Sequence, residues 1–218
     1  STSALASINS SQKLVLNLSG DASMSYGQIS ATAGVEVRGS GDWSLNSSSR
    51  LVSNDIFFND NGTVTLNNSS YIQGNARGQV ANLILERSNC YFSADHYGFG
   101  ANAGPSKGIA MTGNSQSGTG GGHGGYGYRS RNNGTYPGYY DQAKTPSQAG
   151  SGGGSGWSSS GGSGGGVIKL TVVGELRNNG IIRANGGNGT TSTNRSSYGG
   201  GGSAGGTVYI ESGELNGT

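Results

Sequence analysis

Residues 35–54 read VEVRGSGDWSLNSSSRLVSN, and residues 56–75 read IFFNDNGTVTLNNSSYIQGN. Set one above the other at a spacing of 21, Val35 meets Ile56, Val37 meets Phe58, Gly41 meets Gly62 and Trp43 meets Val64. Leu45 then meets Leu66, Asn46 meets Asn67, Leu51 meets Ile72 and Asn54 meets Asn75. One further step back puts Leu14 under Val35, Leu16 under Val37, Asp21 under Asp42 and Met24 under Leu45. Within each unit the apolar residues alternate over short spans, which is the period of a strand, and Gly and Asn-Gly punctuate them. Three short strands in so few residues cannot bury a face alone. Stacking one unit on the next makes a continuous apolar column.

The expected fold is therefore all-β, a parallel β-helix (β-solenoid) with rungs of about 21 residues and a long Gly/Tyr-rich insertion. Like polar residues at one register are expected to form ladders up the stack: Asn46 over Asn67, Asn54 over Asn75, and Ser48 and Ser49 over Ser69 and Ser70. Residues 1–112 form the N-terminal rungs of this reading, 113–166 the insertion, and 167–218 further rungs of the same domain. The insertion holds 20 glycines, five tyrosines, His123 and Trp157, with no apolar run. Either it is disordered, or its glycine runs pack as extended segments with three residues per turn.

Composition agrees with a repeat and excludes other classes. The 218 residues include 45 Gly, 35 Ser, 21 Asn and 14 Thr, over half the chain, while only 31% are hydrophobic and 11% charged. Long helices and a doubly wound α/β enzyme do not fit such usage. No stretch is long and apolar enough for a membrane span. A net charge of +2, spread along the chain, leaves no nucleic-acid footprint. The single cysteine, Cys90, rules out an internal disulfide framework and reads as a small buried hydrophobe. The chain opens at Ser1, and Leu5, Ala6 and Ile8 are too sparse for a signal-peptide core, so a mature or excised segment is expected.

The C-terminal part carries a resemblance. GGGHGGYG (120–127), GSGGGSG (150–156), SGGSGGGVIKLTVVGELRNNGIIRANGGNG (160–189) and GGGGSAGGTVYIESGELNGT (199–218) look like the glycine-rich β-solenoid repeats of very large secreted and cell-surface, adhesin-like proteins. The similarity covers about residues 119–218. It implies adhesin or surface-coat roles, with no reaction attached to the motif.

Ten asparagines lie in N-x-Ser/Thr: Asn9, Asn17, Asn46, Asn61, Asn67, Asn68, Asn133, Asn188, Asn194 and Asn216. Chance would give about five in so Ser/Thr-rich a chain, so covalent N-glycans and a secreted protein are expected. Asn133, Asn188 and Asn194 are the preferred acceptors because they fall in loops; Asn46 and Asn67 are equally at home in an internal ladder. Tyr126, Tyr128, Tyr136, Tyr139, Tyr140 and Trp157 offer flat faces for stacking on sugars or a protein, or else cover glycine segments that have no side chains of their own.

Catalytic patterns are weaker. Ser163 and Ser203 match G-x-S-x-G by composition, without the strand and helix a nucleophile elbow needs. GFGANAG (98–104) has the wrong spacing for a dinucleotide loop, and Gly108 after Lys107 breaks the phosphate-loop pattern. Asp21 and Asp42 read as turn caps rather than a glycosidase pair. Asp95 with His96, or Asp55 with Asp60, form a site only by assumption. Asn59-Asp60-Asn61-Gly62 lacks the distal glutamate of a calcium loop and reads as a turn. The expectation is thus a non-enzymatic, extracellular or cell-surface structural glycoprotein, without cofactor or metal. Its partners would be copies of itself stacked head to tail, or flanking solenoid segments. An adhesin module binding carbohydrate or a host surface through the Tyr-rich insertion is the alternative, and a polysaccharide lyase the third.

Overall fold

The structure is a computed structural model that describes residues 7–111, 116–129, 136–191 and 198–218. It is all-β: no helix occurs among the described residues. The chain divides into two compact units, one of residues 1–93, 168–183 and 210–218, the other of residues 94–167 and 184–209.

In the first unit a sheet of parallel strands curls into a half-barrel. Its strands sort into three ladders. The first joins β2 (Leu14–Leu18) to β5 (Val35–Gly39), then the second half of β7 (Arg50–Asp60), the second half of β9 (Tyr71–Val80) and the start of β12 (Val167–Asn178). Joined in the second are β3 (Ala22–Ser25), β6 (Trp43–Asn46), β8 (Thr63–Leu66), β10 (Asn82–Leu85) and the end of β12. The third runs through β1 (Ser7–Ser10), β4 (Gln28–Ala31), the first halves of β7 and β9, β11 (Tyr91–Ser93) and β13 (Ile181–Arg183). A last strand, β14 (Thr207–Gly217), pairs with β12.

Alternation in the inner strands, from β4 to β8 and in β10, decides what is buried. Leu14 lies opposite Val35 and Val35 opposite Ile56; Trp43 lies opposite Val64, and Leu51 opposite Ile72. Val35, Ile56, Trp43, Val64, Leu51 and Ile72 are at most 3% exposed. Each large aliphatic side chain buried this way contributes about 1.5–3 kcal/mol. The columns are not uniform in size. Phe58 is followed in its column by Gly78, whose φ is +116° and whose Cβ position falls on the Phe58 carbonyl. Only glycine fits there, and the Phe58 ring meets Phe92 edge-on at 6.3 Å.

The turns repeat as well. Ser47 and Ser48 have positive φ, and so do Asn68 and Ser69 one tier on. Behind these turns Ser49 and Ser70 are fully buried; the Ser49 amide donates to Ser70 Oγ (3.2 Å) and the Ser49 hydroxyl to the Asn46 carbonyl (2.6 Å). Asp21 accepts from the Asp42 amide and Asp42 from the Thr63 amide, so each aspartate caps the backbone of the next tier. Asn54 does not stand opposite Asn75 in the register. The register shifts between Val52 and Asp55, so Asp55 stands opposite Asn75, and the Asn54 amide group donates to the Thr32 carbonyl. Asn46 donates to Ser23 Oγ, and Asn67 accepts from Arg87.

On the outer face of the third ladder, the Arg50 guanidinium bonds Gln28 and the Tyr71 hydroxyl. The Tyr71 and Tyr91 rings stack at 4.5 Å, with Arg183 5.5 Å from the centre of the Tyr91 ring. Burial and the neighbouring Tyr71 push the Tyr91 phenol up to about 12. One inward position carries a carboxyl group. Asp60 is 1% exposed with Oδ2 unpartnered, and burial raises its carboxyl above the ordinary range despite the amides of Gly62 and Asn61.

The second unit has almost no strand. Its glycine runs bond to one another in a different way, seen most clearly at residues 150–154. The Gly150 and Gly153 amides donate to Gly165 and Gly162; the Gly150 and Gly153 carbonyls accept from Phe99 and Asn102. Ser151 and Gly154 carbonyls accept from Ala204 and Gly201, and Gly152 bonds to Ala103 and Gly108. Every third residue thus meets the same neighbour, and one run is surrounded by several. That is the periodicity of a polyproline II-type chain rather than a strand. The packing requires glycine: a Cβ at Gly153 would sit 2.0 Å from the Gly201 carbonyl oxygen, and one at Gly164 1.8 Å from that of Gly150.

Candidate binding site

Five of the six aromatics singled out above stand exposed on the second unit: Tyr126 (68%), Tyr128 (80%), Tyr139 (64%), Tyr136 (49%) and Trp157 (45%). Tyr126 and Tyr139 meet edge-to-face at 5.2 Å, and the Arg129 guanidinium lies 5.2 Å from the centre of the Tyr136 ring. Tyr140 is different. Its hydroxyl donates to the Ala149 carbonyl and accepts from Ser151, and burial raises its phenol. It is part of the support rather than of the displayed surface. Two shallow grooves flank Tyr126, of about 490 and 530 Å³. Tyr128 and Arg129 line the first, and His123 and Pro146 the second; Trp157 lines neither.

The support is built from side chains that sequence reading passed over. His123, 8% exposed, places Nδ1 3.0 Å from the Gly205 carbonyl and Nε2 3.2 Å from Asp141 Oδ2. Its ring lies 5.0 Å from that of Tyr140, whose amide donates to the His123 carbonyl. Asp141 in turn gathers its own loop, accepting from the amides of Gln142, Ser147 and Gln148. Burial alone would raise this carboxyl; the three amides and His123 outweigh it and hold it down to about 2. Nearby, Ser151 accepts from the Ser106 amide, and the Ser106 hydroxyl donates to the Gly138 carbonyl. The segment carrying Tyr139 is therefore pinned by a carboxylate, an imidazole and two hydroxyls. Nothing in local sequence pattern links Asp141 to His123, 18 residues away.

The other candidate residues lie apart. Asp95 accepts from the Asn185 amide (2.6 Å), and Asp55 is paired with Arg77 at 2.8 and 3.1 Å. Ser203 donates to the carbonyls of Ser163 and Gly187, so both G-x-S-x-G serines belong to the glycine bundle. Asn59-Asp60-Asn61-Gly62 runs from the end of β7 into a turn with Asp60 buried. Cys90 is fully buried. Among the described residues no three His, Cys, Asp or Glu side chains gather in a way that could hold a metal, and no helix is long and apolar enough to cross a membrane. Of the N-x-Ser/Thr asparagines, Asn9, Asn17, Asn61, Asn68, Asn188 and Asn216 are exposed, whereas Asn46 and Asn67 are half-buried and hydrogen-bonded. Asn133 and Asn194 lie outside the described residues.

Comparison with known proteins returns no matching family, no matching curated protein and no matching solved structure.

The Asp141 cluster makes a pH prediction. The folded carboxyl titrates below its ordinary value of 3.8. Its contribution is therefore complete above about pH 4 and is lost as pH falls through about 2. Thermal melts should show D141N less stable than the native protein at pH 7, by about 2 kcal/mol. The difference should close between pH 4 and 2; one that held constant with pH would contradict this role.

Proposed function

We propose that this chain is a non-enzymatic recognition module of an extracellular or cell-surface glycoprotein. In this reading its first unit is a parallel β-helix with rungs of about 21 residues, and its second unit presents tyrosines to a surface ligand. The observation that carries the reading is the group of exposed rings, Tyr126, Tyr128 and Tyr139 above all, held on a backbone whose hydrogen bonds leave it little freedom. Exposed tyrosines lose little side-chain entropy on binding, and each offers an apolar face beside a hydroxyl. Rigid placement reduces the ordering cost of association. No cofactor has a part in this mechanism, and N-glycans, if carried, belong on exposed acceptors such as Asn188 and Asn61.

A second reading, a structural subunit that stacks end to end, has its own observation. Leu14 and Leu16 of β2 are half-exposed where Val35 and Val37 one tier on are buried, and Leu215 of β14 is 70% exposed. Strands with such side chains accept a further parallel tier, from a second copy or from a flanking solenoid segment.

Both readings are open to direct tests. The full chain should bind saturably to at least one of a panel of surfaces coated with neutral polysaccharides, polyuronates or matrix proteins. The double variant Y126A/Y128A should lower that binding about tenfold or more. No saturable binding, or a double variant that binds like the native protein, rejects the recognition reading. Sedimentation velocity over a wide concentration range reads the stacking: a growing series of oligomers supports it, and one species throughout rejects it.

A further inference from the structure

Most glycines of the second unit are there because a Cβ would strike a neighbouring carbonyl. A few are not. A Cβ at Gly124 or Gly125 meets nothing within 4 Å; at Gly202 its first neighbour is 4.0 Å away and at Gly205 3.7 Å. None of the four has a left-handed φ. Alanine would therefore fit the fold at each. All four line the grooves beside Tyr126, Gly202 the first and Gly124, Gly125 and Gly205 the second, whereas Gly100, equally open, lines neither. Where the protein's own packing leaves room for a side chain, the grooves keep bare backbone. Their volumes fall within the range of small-ligand sites.

The charge of the grooves narrows the ligand. Among the described residues no carboxylate lines either one, and the one cation that does, Arg129, lies over the Tyr136 ring; the ring nitrogens of His123 face the Gly205 carbonyl and Asp141. What remains includes the exposed phenol rings of Tyr126 and Tyr128, the uncharged side chains of Ser117 and Ser203 in the first groove and of Pro146, Thr207 and Val208 in the second, and a floor of peptide groups. Such a surface suits a flat molecule with an apolar face and a rim of uncharged hydroxyls, able to approach backbone closely.

We propose that the grooves on either side of Tyr126 bind a neutral, hexose-rich glycan, whose pyranose rings stack on Tyr126 and Tyr128 while its hydroxyls contact the glycine backbone at Gly124, Gly125, Gly202 and Gly205. This deepens the recognition reading and rests on it. A methyl group at any of these glycines occupies the space the sugar takes.

The test uses the full chain on an array of neutral hexose oligosaccharides, uronate-containing oligosaccharides and matrix proteins, with Y126A, the pair G124A/G125A, and G202A. The native protein should bind neutral hexose oligosaccharides with little sensitivity to salt. Both glycine variants should keep the native melting temperature and lose binding about tenfold or more, as should Y126A. If Y126A loses binding while the stably folded glycine variants bind normally, the groove inference falls and the tyrosine surface stands. Binding confined to uronates or to a matrix protein likewise overturns the neutral glycan alone. No binding to any of these ligands, or binding that survives every variant, overturns both.

Discussion

Every backbone amide and carbonyl taken out of water must find a partner, and this chain meets that demand with few apolar side chains to help. Only 31% of its residues are hydrophobic. In the first unit the partners are supplied by parallel ladders, and most of the sparse Val, Leu, Ile and Phe side chains fall on the inward side of short strands, with Ile8, Val15 and Leu215 among the exceptions. In the second unit even that economy is absent. The glycine runs come close enough for one chain to bond with several neighbours, which a single Cβ on the contact side would prevent. Each such bond contributes only about 1 kcal/mol net, so order comes from their number and cooperation. Close Cα–H to carbonyl contacts between runs add smaller terms.

The same constraint explains the polar residues that are buried. Ser49 and Ser70 turn their hydroxyls to backbone groups at a corner where the chain reverses with two positive-φ residues. At another corner the exposed Asp21 and Asp42 also turn their carboxylates to backbone amides. Asp141 does it for a whole loop, taking three amides and an imidazole. Asp60 departs from the pattern. Its Oδ2 is buried without a partner, and burial raises its carboxyl above the ordinary range. The exposed rings near Tyr126 are the opposite case, apolar surface that the packing leaves uncovered.

Much of the first unit was legible because alternation and spacing are local. Val35 with Ile56, Leu45 with Leu66 and Leu51 with Ile72 are neighbours in the ladders as they are in the aligned sequence. The register partner of Asn75 is Asp55 rather than Asn54, because the shift between Val52 and Asp55 depends on how β7 bends from one ladder to the next. In the glycine-rich part, a period of three was available as a composition argument, but which run touches which was not. Gly153 meets Gly162, Asn102 and Gly201 through backbone atoms that every residue has. Tyr140 was indistinguishable from Tyr139 in sequence; its place under Ala149 and beside Ser151 follows from the fold alone. The His123–Asp141 pair left no local mark, and the needless glycines at Gly124 and Gly125 become visible only once the necessary ones are known.

The central claim is that the glycine runs form a fixed hydrogen-bonded bundle. Amide hydrogen exchange, read residue by residue in the native full chain, tests it most directly. The account predicts strong protection for the amides of Gly150, Gly152, Gly153 and Gly154 and of their neighbours Gly162, Gly165 and Gly201, comparable to that of the ladder strands β7 and β9. Exchange of these glycine amides at the rate of an unstructured chain, with the ladder strands still protected, would contradict it.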